Sequence, residues 1–146
     1  MQIRPAQPAD FAQWLPLWQG YQAFYQTEIP ASVTALTWQR FMDPAEPMHC
    51  ALAEEGGVLL GMVHFIYHRS CWTAGDYVYL QDLYTQPQLR GKGVGRALIE
   101  HVYASAAHEA AARVWWLTHE SNLTAMQLYD RIAEKSGLLQ YRKAIV

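Results

Sequence analysis

Tyr77-Val78-Tyr79-Leu80-Gln81-Asp82-Leu83-Tyr84-Thr85 runs toward Arg90-Gly91-Lys92-Gly93-Val94-Gly95, and that loop opens onto Arg96-Ala97-Leu98-Ile99-Glu100. An aromatic and aliphatic run, a glycine-rich loop and a helix-forming run, in that order, read as strand, loop and helix start. A helix N-terminus presents backbone N–H groups without intrahelical partners and the positive end of the macrodipole. A loop too bare to block approach turns it into an anion site. A phosphate-bearing ligand is therefore expected. Two familiar phosphate loops are excluded by spacing. A P-loop follows its Gly-Lys directly with Ser or Thr, whereas Lys92 is followed by Gly93. A dinucleotide fingerprint built on Gly91 and Gly93 needs a third glycine where Arg96 stands.

What survives is the pattern Arg/Gln-x-x-Gly-x-Gly/Ala, met by Arg90, Gly93 and Gly95. Downstream, Asn122-Leu123-Thr124-Ala125-Met126-Gln127-Leu128-Tyr129 supplies Asn-x-x-Ala-x-x-x-Tyr. These two motifs, in this order, resemble those of the GNAT N-acetyltransferase superfamily. Tyr79 to Tyr84, with Pro87 before the loop, resembles the subgroup that acetylates polyamines and related amines, including histone-tail lysines in some members. The likeness is detailed from about Tyr77 to Arg142, while the first half agrees only in its order of elements. It implies an α/β (α+β) fold, a central twisted mixed sheet splayed into a V with helices on both faces, and acetyl-coenzyme A as cosubstrate.

The chain has 146 residues, 51% hydrophobic and 16% charged, which fits a single globular domain over 1–146. No apolar run approaches the roughly 18 residues of a membrane span, and Met1 to Pro5 lacks the form of a secretory signal. Cys50 and Cys71 show no metal or redox spacing, so a reducing cytoplasm and ordinary thiols are expected. A net charge of −2 gives no basic footprint. Neither nucleic acid nor membrane is an expected partner, and mild acidity suits a cationic amine better than a polyanion.

Before the glycine loop, Ile3-Arg4 reads as a first strand. Ala9 to Gln26 reads as a helix with Asp10 as N-cap and a kink or break at Pro16. Ala31 to Met42 is a second helix, and Thr27 to Pro30 between them is a loop on the substrate side. Cys50 to Ala53 and Val58 to His68 form a hairpin around Gly56-Gly57, and Gly61 marks a bulge or a close approach. After the glycine loop come a buried strand over Val114 to Thr118, a helix from Leu123 to Lys135 and a last strand from Leu139 to Ala144.

The resemblance assigns the site. Backbone N–H groups of Gly91, Lys92, Gly93, Val94, Gly95 and Arg96 would hold the donor's pyrophosphate, with positive charge from Arg90 and Lys92. Backbone groups of Leu83, Tyr84 and Thr85 would pair with the pantetheine arm, which Asn122, Ala125 and Tyr129 flank from their own motif. Tyr129 is the proton donor, because a phenol keeps its proton at neutral pH and can give it to a departing thiolate; the competing reading makes it part of the buried stripe with Ala125, Leu128 and Ile132. The base departs from the subgroup, which carries Glu-Asp where this chain has Gln81-Asp82, and Gln81 accepts no proton. Asp82 either takes over through a water or binds the second ammonium of a diamine. Strand alternation puts Gln81 and Asp82 on opposite faces unless a bulge intervenes.

Gln81, Asp82, Glu28 and His119 are the substrate-binding candidates, with Glu120 a further acid. No histidine, from His64 and His68 to His101 and His108, has metal-ligand spacing, so no metal is expected. Trp14, Trp18, Tyr21 and Tyr25 either belong to an aromatic core or line an amine pocket. The function implied is transfer of acetyl from acetyl-coenzyme A to a small primary amine, such as a polyamine or diamine, by direct attack in a ternary complex. The alternatives are acetylation of protein or peptide lysines and a non-catalytic acyl-coenzyme-A sensor. Dimerisation is common in the superfamily, which leaves a homodimer open.

Overall fold

Gly56 and Gly57 hold φ of 58° and 81°. A two-residue hairpin turn needs two left-handed residues if it is to follow the right-handed twist of its strands. The strands they join are the centre of the sheet in the computed structural model, which describes residues 1–146. In chain order the elements are β1 (Gln2–Pro5), α1 (Phe11–Phe24), α2 (Ala31–Met42), β2 (Met48–Glu55), β3 (Val58–His68), β4 (Tyr77–Thr85), α3 (Val94–His108), β5 (Arg113–Trp115) and α4 (Leu123–Ile132). Short 3-10 turns lie at Pro8–Asp10 and Pro87–Leu89. The chain packs as two units, Met1–Trp116, which holds the whole sheet, and Leu117–Val146, which holds α4.

The five strands lie in the order β1-β2-β3-β4-β5, antiparallel except for the parallel β4–β5 pair. That is the expected mixed sheet. The β4–β5 ladder joins Tyr77 to Tyr79 with Arg113 to Trp115 and goes no further, so Leu80 to Thr85 continue beyond their parallel neighbour.

Helices cover both faces of the sheet. On one, Trp14, Leu17 and Trp18 of α1 and Trp38 of α2 pack with Cys50, Leu52, Leu59 and Met62 of the hairpin. The Trp14 and Trp38 rings lie 4.7 Å apart between centroids, within the range of favourable aromatic pairs. On the other face, α3 buries Val94, Leu98, Ile99, Val102 and Ala106. The sheet's Val63, Phe65, Val78 and Leu80 are also fully or nearly fully buried.

Two register shifts shape the sheet. Ala53 pairs with Gly61 while Glu54 pairs with Leu59, so Leu60 is an extra residue on β3. Gly61 also meets the close approach expected of it, since a Cβ there would lie 2.8 Å from the Tyr84 carbonyl oxygen. On β4, His64 pairs with Asp82 while Phe65 pairs with Leu80, leaving Gln81 as the extra residue. The bulge reverses the alternation, so Tyr79 and Asp82 fall on the α1 face although three positions separate them.

Several expectations are corrected. Pro16 neither kinks nor divides α1, which is helical from Phe11 to Phe24. The proline is exposed, so the Ala12 carbonyl that loses its N–H partner lies on a solvated side. Asp10 does hold the N-cap position of α1 but makes no side-chain capping bond there. Its carboxylate instead accepts bonds from Arg4 Nη1 and Nη2 at 2.8 and 2.9 Å and from the Gln7 N–H at 2.7 Å. The fifth strand is only half-buried and stops at Trp115, short of Thr118. The helix begun at Leu123 ends at Ile132 rather than Lys135. No strand forms over Leu139 to Ala144. A strand needs a ladder partner; these residues have none, and Leu139 and Tyr141 are 85% and 94% exposed.

Candidate active site

The glycine loop has the form that its composition dictates. Gly91 and Gly93 hold φ of 81° and 83°, and a Cβ at either would meet nothing within 4 Å. The loop is therefore glycine for conformation, and the space above it is open. Gly93 occupies the N-cap position of α3 without any side-chain cap, so the first N–H groups of the helix are not covered by a capping side chain. Arg90 and Lys92 are exposed beside them. The Arg90 guanidinium lies over the Phe24 ring at 5.4 Å, and Arg96 is engaged by Glu100 at 2.9 Å. Bare backbone donors next to two cations form a donor set that fits a pyrophosphate.

Asp82 is the other centre. The bulge at Gln81 turns it into the α1 side, where it is only 9% exposed, while Gln81 itself is exposed. Its Oδ2 lies 2.9 Å from His64 Nδ1, and His64 Nε2 accepts the Trp14 Nε1–H at 3.0 Å. Tyr21 hydrogen-bonds with the carboxylate, and Tyr25 and Tyr79 lie within reach of its charge. Burial first, and then the Asp82 charge, pushes all three phenols above the ordinary tyrosine range. For Tyr25 a hydrogen bond with Tyr21 acts the other way. These walls are neutral at working pH, able to donate a hydrogen bond and unable to act as bases. A buried carboxylate between neutral phenols is a receptor for a cation or a proton.

Of the four aromatics proposed for a pocket, Trp14 and Trp18 are core, at 0% and 6% exposure, while Tyr21 and Tyr25 do stand at Asp82. Leu83, Tyr84 and Thr85 follow Asp82 along the part of β4 that lies beyond the β5 ladder. Glu28 lines a cavity of about 240 Å³ with Phe11, Leu15 and Gln19, and Asp82 is not part of that lining.

In the second unit, Asn122 is the N-cap residue of α4, and its Nδ2 donates to Thr118 Oγ1 at 3.3 Å. Ala125 and Tyr129 are half-buried along one stripe of that helix with Leu128 and Ile132. His119 accepts the Ser121 backbone N–H on Nδ1 at 3.2 Å, with the Ser121 hydroxyl 2.6 Å from the same atom, and is exposed like Glu120. Sequence reasoning missed His64 and Tyr79. Their one signal is the cross-strand register, which is a property of the folded sheet and not of any local motif.

The acetyltransferase (GNAT) family model matches residues 13–133. A D-amino-acid N-acetyltransferase from Saccharomyces cerevisiae is 36% identical over 143 residues, covering 97% of this chain and 89% of that protein. A thialysine N-epsilon-acetyltransferase from Mus musculus is 32% identical over 109 residues, 64% of this chain and 62% of that protein. The solved structure of a ribosomal-protein-alanine N-acetyltransferase from Brucella melitensis biovar Abortus 2308 superposes with a TM-score of 0.80 at 20% identity, covering 99% of this chain and all of the other.

Proposed function

The chain belongs to the GNAT family of acetyltransferases, and from that premise we propose that it acetylates the primary amine of a small cationic molecule, with acetyl-coenzyme A as donor and Asp82 as base. Acetyl-coenzyme A supplies an acyl group activated as a thioester. The N–H groups of Gly91 to Arg96, with Arg90 and Lys92, would hold its pyrophosphate; the backbone of Leu83 to Thr85 would align its pantetheine arm, and the motif that carries Asn122 and Ala125 implies a role for them toward the same cosubstrate.

The observation that carries the reading is the buried Asp82 carboxylate, 2.9 Å from His64 Nδ1, whose charge reaches the phenols of Tyr21, Tyr25 and Tyr79. An ammonium entering there gains the carboxylate as ion partner and the ring faces as cation–π partners. Loss of its proton to Asp82, directly or through a water, leaves the neutral amine that attack on a thioester carbonyl requires. Tyr129 would return a proton to the departing thiolate, as its motif implies. Transfer is then direct, with no acetyl-enzyme. The names of the relatives widen the acceptor class from polyamines and diamines to amino acids with a free amine.

The test is thiol release from acetyl-coenzyme A across diamines, polyamines, D-amino acids, thialysine and lysine peptides. The expected result is turnover with a small free amine, reduced about 10²- to 10⁴-fold in Asp82→Asn, the range typical of a lost acid or base, and also reduced in Tyr129→Phe. Turnover confined to peptides would replace this reading with protein-lysine acetylation. Donor binding with no turnover on any amine would replace it with a sensing module.

A further inference from the structure

We infer that His64 is a positioning residue for acetyl transfer: its Nδ1–H holds the Asp82 carboxylate toward the tyrosine-walled space, and Trp14 keeps it in the tautomer able to do so. The inference rests on Asp82 acting as the base. An indole N–H can only donate. Trp14 Nε1 lies 3.0 Å from His64 Nε2, so that nitrogen carries no proton and the ring's hydrogen is on Nδ1, 2.9 Å from Asp82 Oδ2. The other tautomer would set two donors face to face at Trp14 and two acceptors face to face at Asp82.

His64 cannot itself serve as base. It is 2% exposed, and its ring is enclosed by Trp14, Trp18 and Phe41 with centroids 5.8, 5.1 and 4.7 Å away. Its only free lone pair is taken by Trp14. What remains is orientation. The titratable groups facing Asp82 are His64 from β3, Cys50 from β2 at the His64 register position, Tyr21 and Tyr25 from α1 and its C-cap, and Tyr79 from β4. Burial pushes the Cys50 thiol up as it does the phenols. With Nε2 accepting from Trp14, His64 offers Asp82 the N–H of a singly protonated ring, and the other facing groups are a thiol and phenols. An arginine in its place would orient the carboxylate and also weaken it as a base, whereas a neutral N–H orients it and leaves it basic.

The experiment compares kcat and KM against pH for the wild type, His64→Leu, His64→Asn and Asp82→Asn with the amine giving the fastest thiol release. Asn keeps an amide donor near the Nδ1 position, and Leu keeps only the volume. In His64→Leu, kcat should fall about 10- to 100-fold, as for other lost orienting partners, with amine KM little changed. The acid limb of kcat/KM should move to higher pH, because a carboxylate without its donor and out of water holds its proton more tightly. In His64→Asn the limb should return to its wild-type position. Equal thermal destabilisation of both variants with an unmoved limb would overturn the inference. If Asp82→Asn retains wild-type kcat, the base reading itself fails; if Asp82→Asn is inactive and folded His64→Leu keeps wild-type kcat and limb, only the positioning role fails. Imidazole ¹⁵N resonances of the wild type at pH 7 give a check free of folding effects. A proton on Nδ1 alone supports the assignment, and a proton on Nε2 overturns it.

Discussion

Gly93 and Gly95 lie two residues apart in one motif and are glycine for different physical reasons. Gly93 has φ of 83° and empty space around a notional Cβ. Gly95 has ordinary helical geometry, and its nearest atom is Thr85 Oγ1 at 3.9 Å. Gly93→Ala should therefore cost about 1–2 kcal/mol, the penalty for forcing an L-residue into the left-handed region. Gly95→Ala should stabilise α3 by about 0.5–1 kcal/mol, the usual gain of Ala over Gly inside a helix. Both should raise the KM for acetyl-coenzyme A if phosphate sits against this backbone, but only Gly93→Ala should lower the denaturation midpoint. Urea titrations and donor KM values for the pair separate conformation from access. An unchanged donor KM in folded Gly95→Ala would show that the phosphates lie elsewhere.

At the scale of elements, α1 carries a measurable defect. Pro16 stands inside a continuous helix, removes one N–H and leaves the Ala12 carbonyl to solvent. Pro16→Ala should restore that bond and raise stability by about 1–3 kcal/mol. An unchanged urea midpoint would mean the ring makes compensating contacts. The break expected at Pro16 was a local inference, overridden because Trp14, Leu17 and Trp18 anchor the helix on both sides of the proline. Elements whose signal is local were legible: α2 and β3 have the boundaries their periodicity gave, and the glycine loop lies where its composition put it. The apolar residues after Ile132 read as a strand, but sequence cannot say whether a ladder partner exists. The site was half legible for the same reason. Asp82 could be named from its neighbours in sequence, whereas its face depends on one extra residue at Gln81 and its partner His64 on the register that this sets.

Across the whole molecule, tyrosine desolvation predicts how the fold responds to alkali. Burial is the first cause holding the phenols of Tyr21, Tyr25, Tyr67, Tyr79 and Tyr103 above the ordinary tyrosine range. An unfolded chain releases those protons near pH 10, while the folded chain retains them to higher pH. Above that point the native state binds more protons than the unfolded state, so stability falls as pH rises. The contribution is fully present below about pH 10 and is lost as pH climbs toward the folded values. Urea midpoints should therefore be level between pH 8 and 9, begin to fall by pH 10 and drop further at pH 11. Tyr21→Phe removes the group with the largest of these upward shifts, so its drop between pH 10 and 11 should be shallower. Its loss of turnover at pH 8 would reflect the missing phenol at Asp82 rather than lost stability. A Tyr21→Phe curve parallel to the wild type would mean that Tyr21 ionises as freely in the fold as outside it. The wall around Asp82 would then be wet, and a wet wall would remove the low-dielectric setting on which the proposed amine site depends.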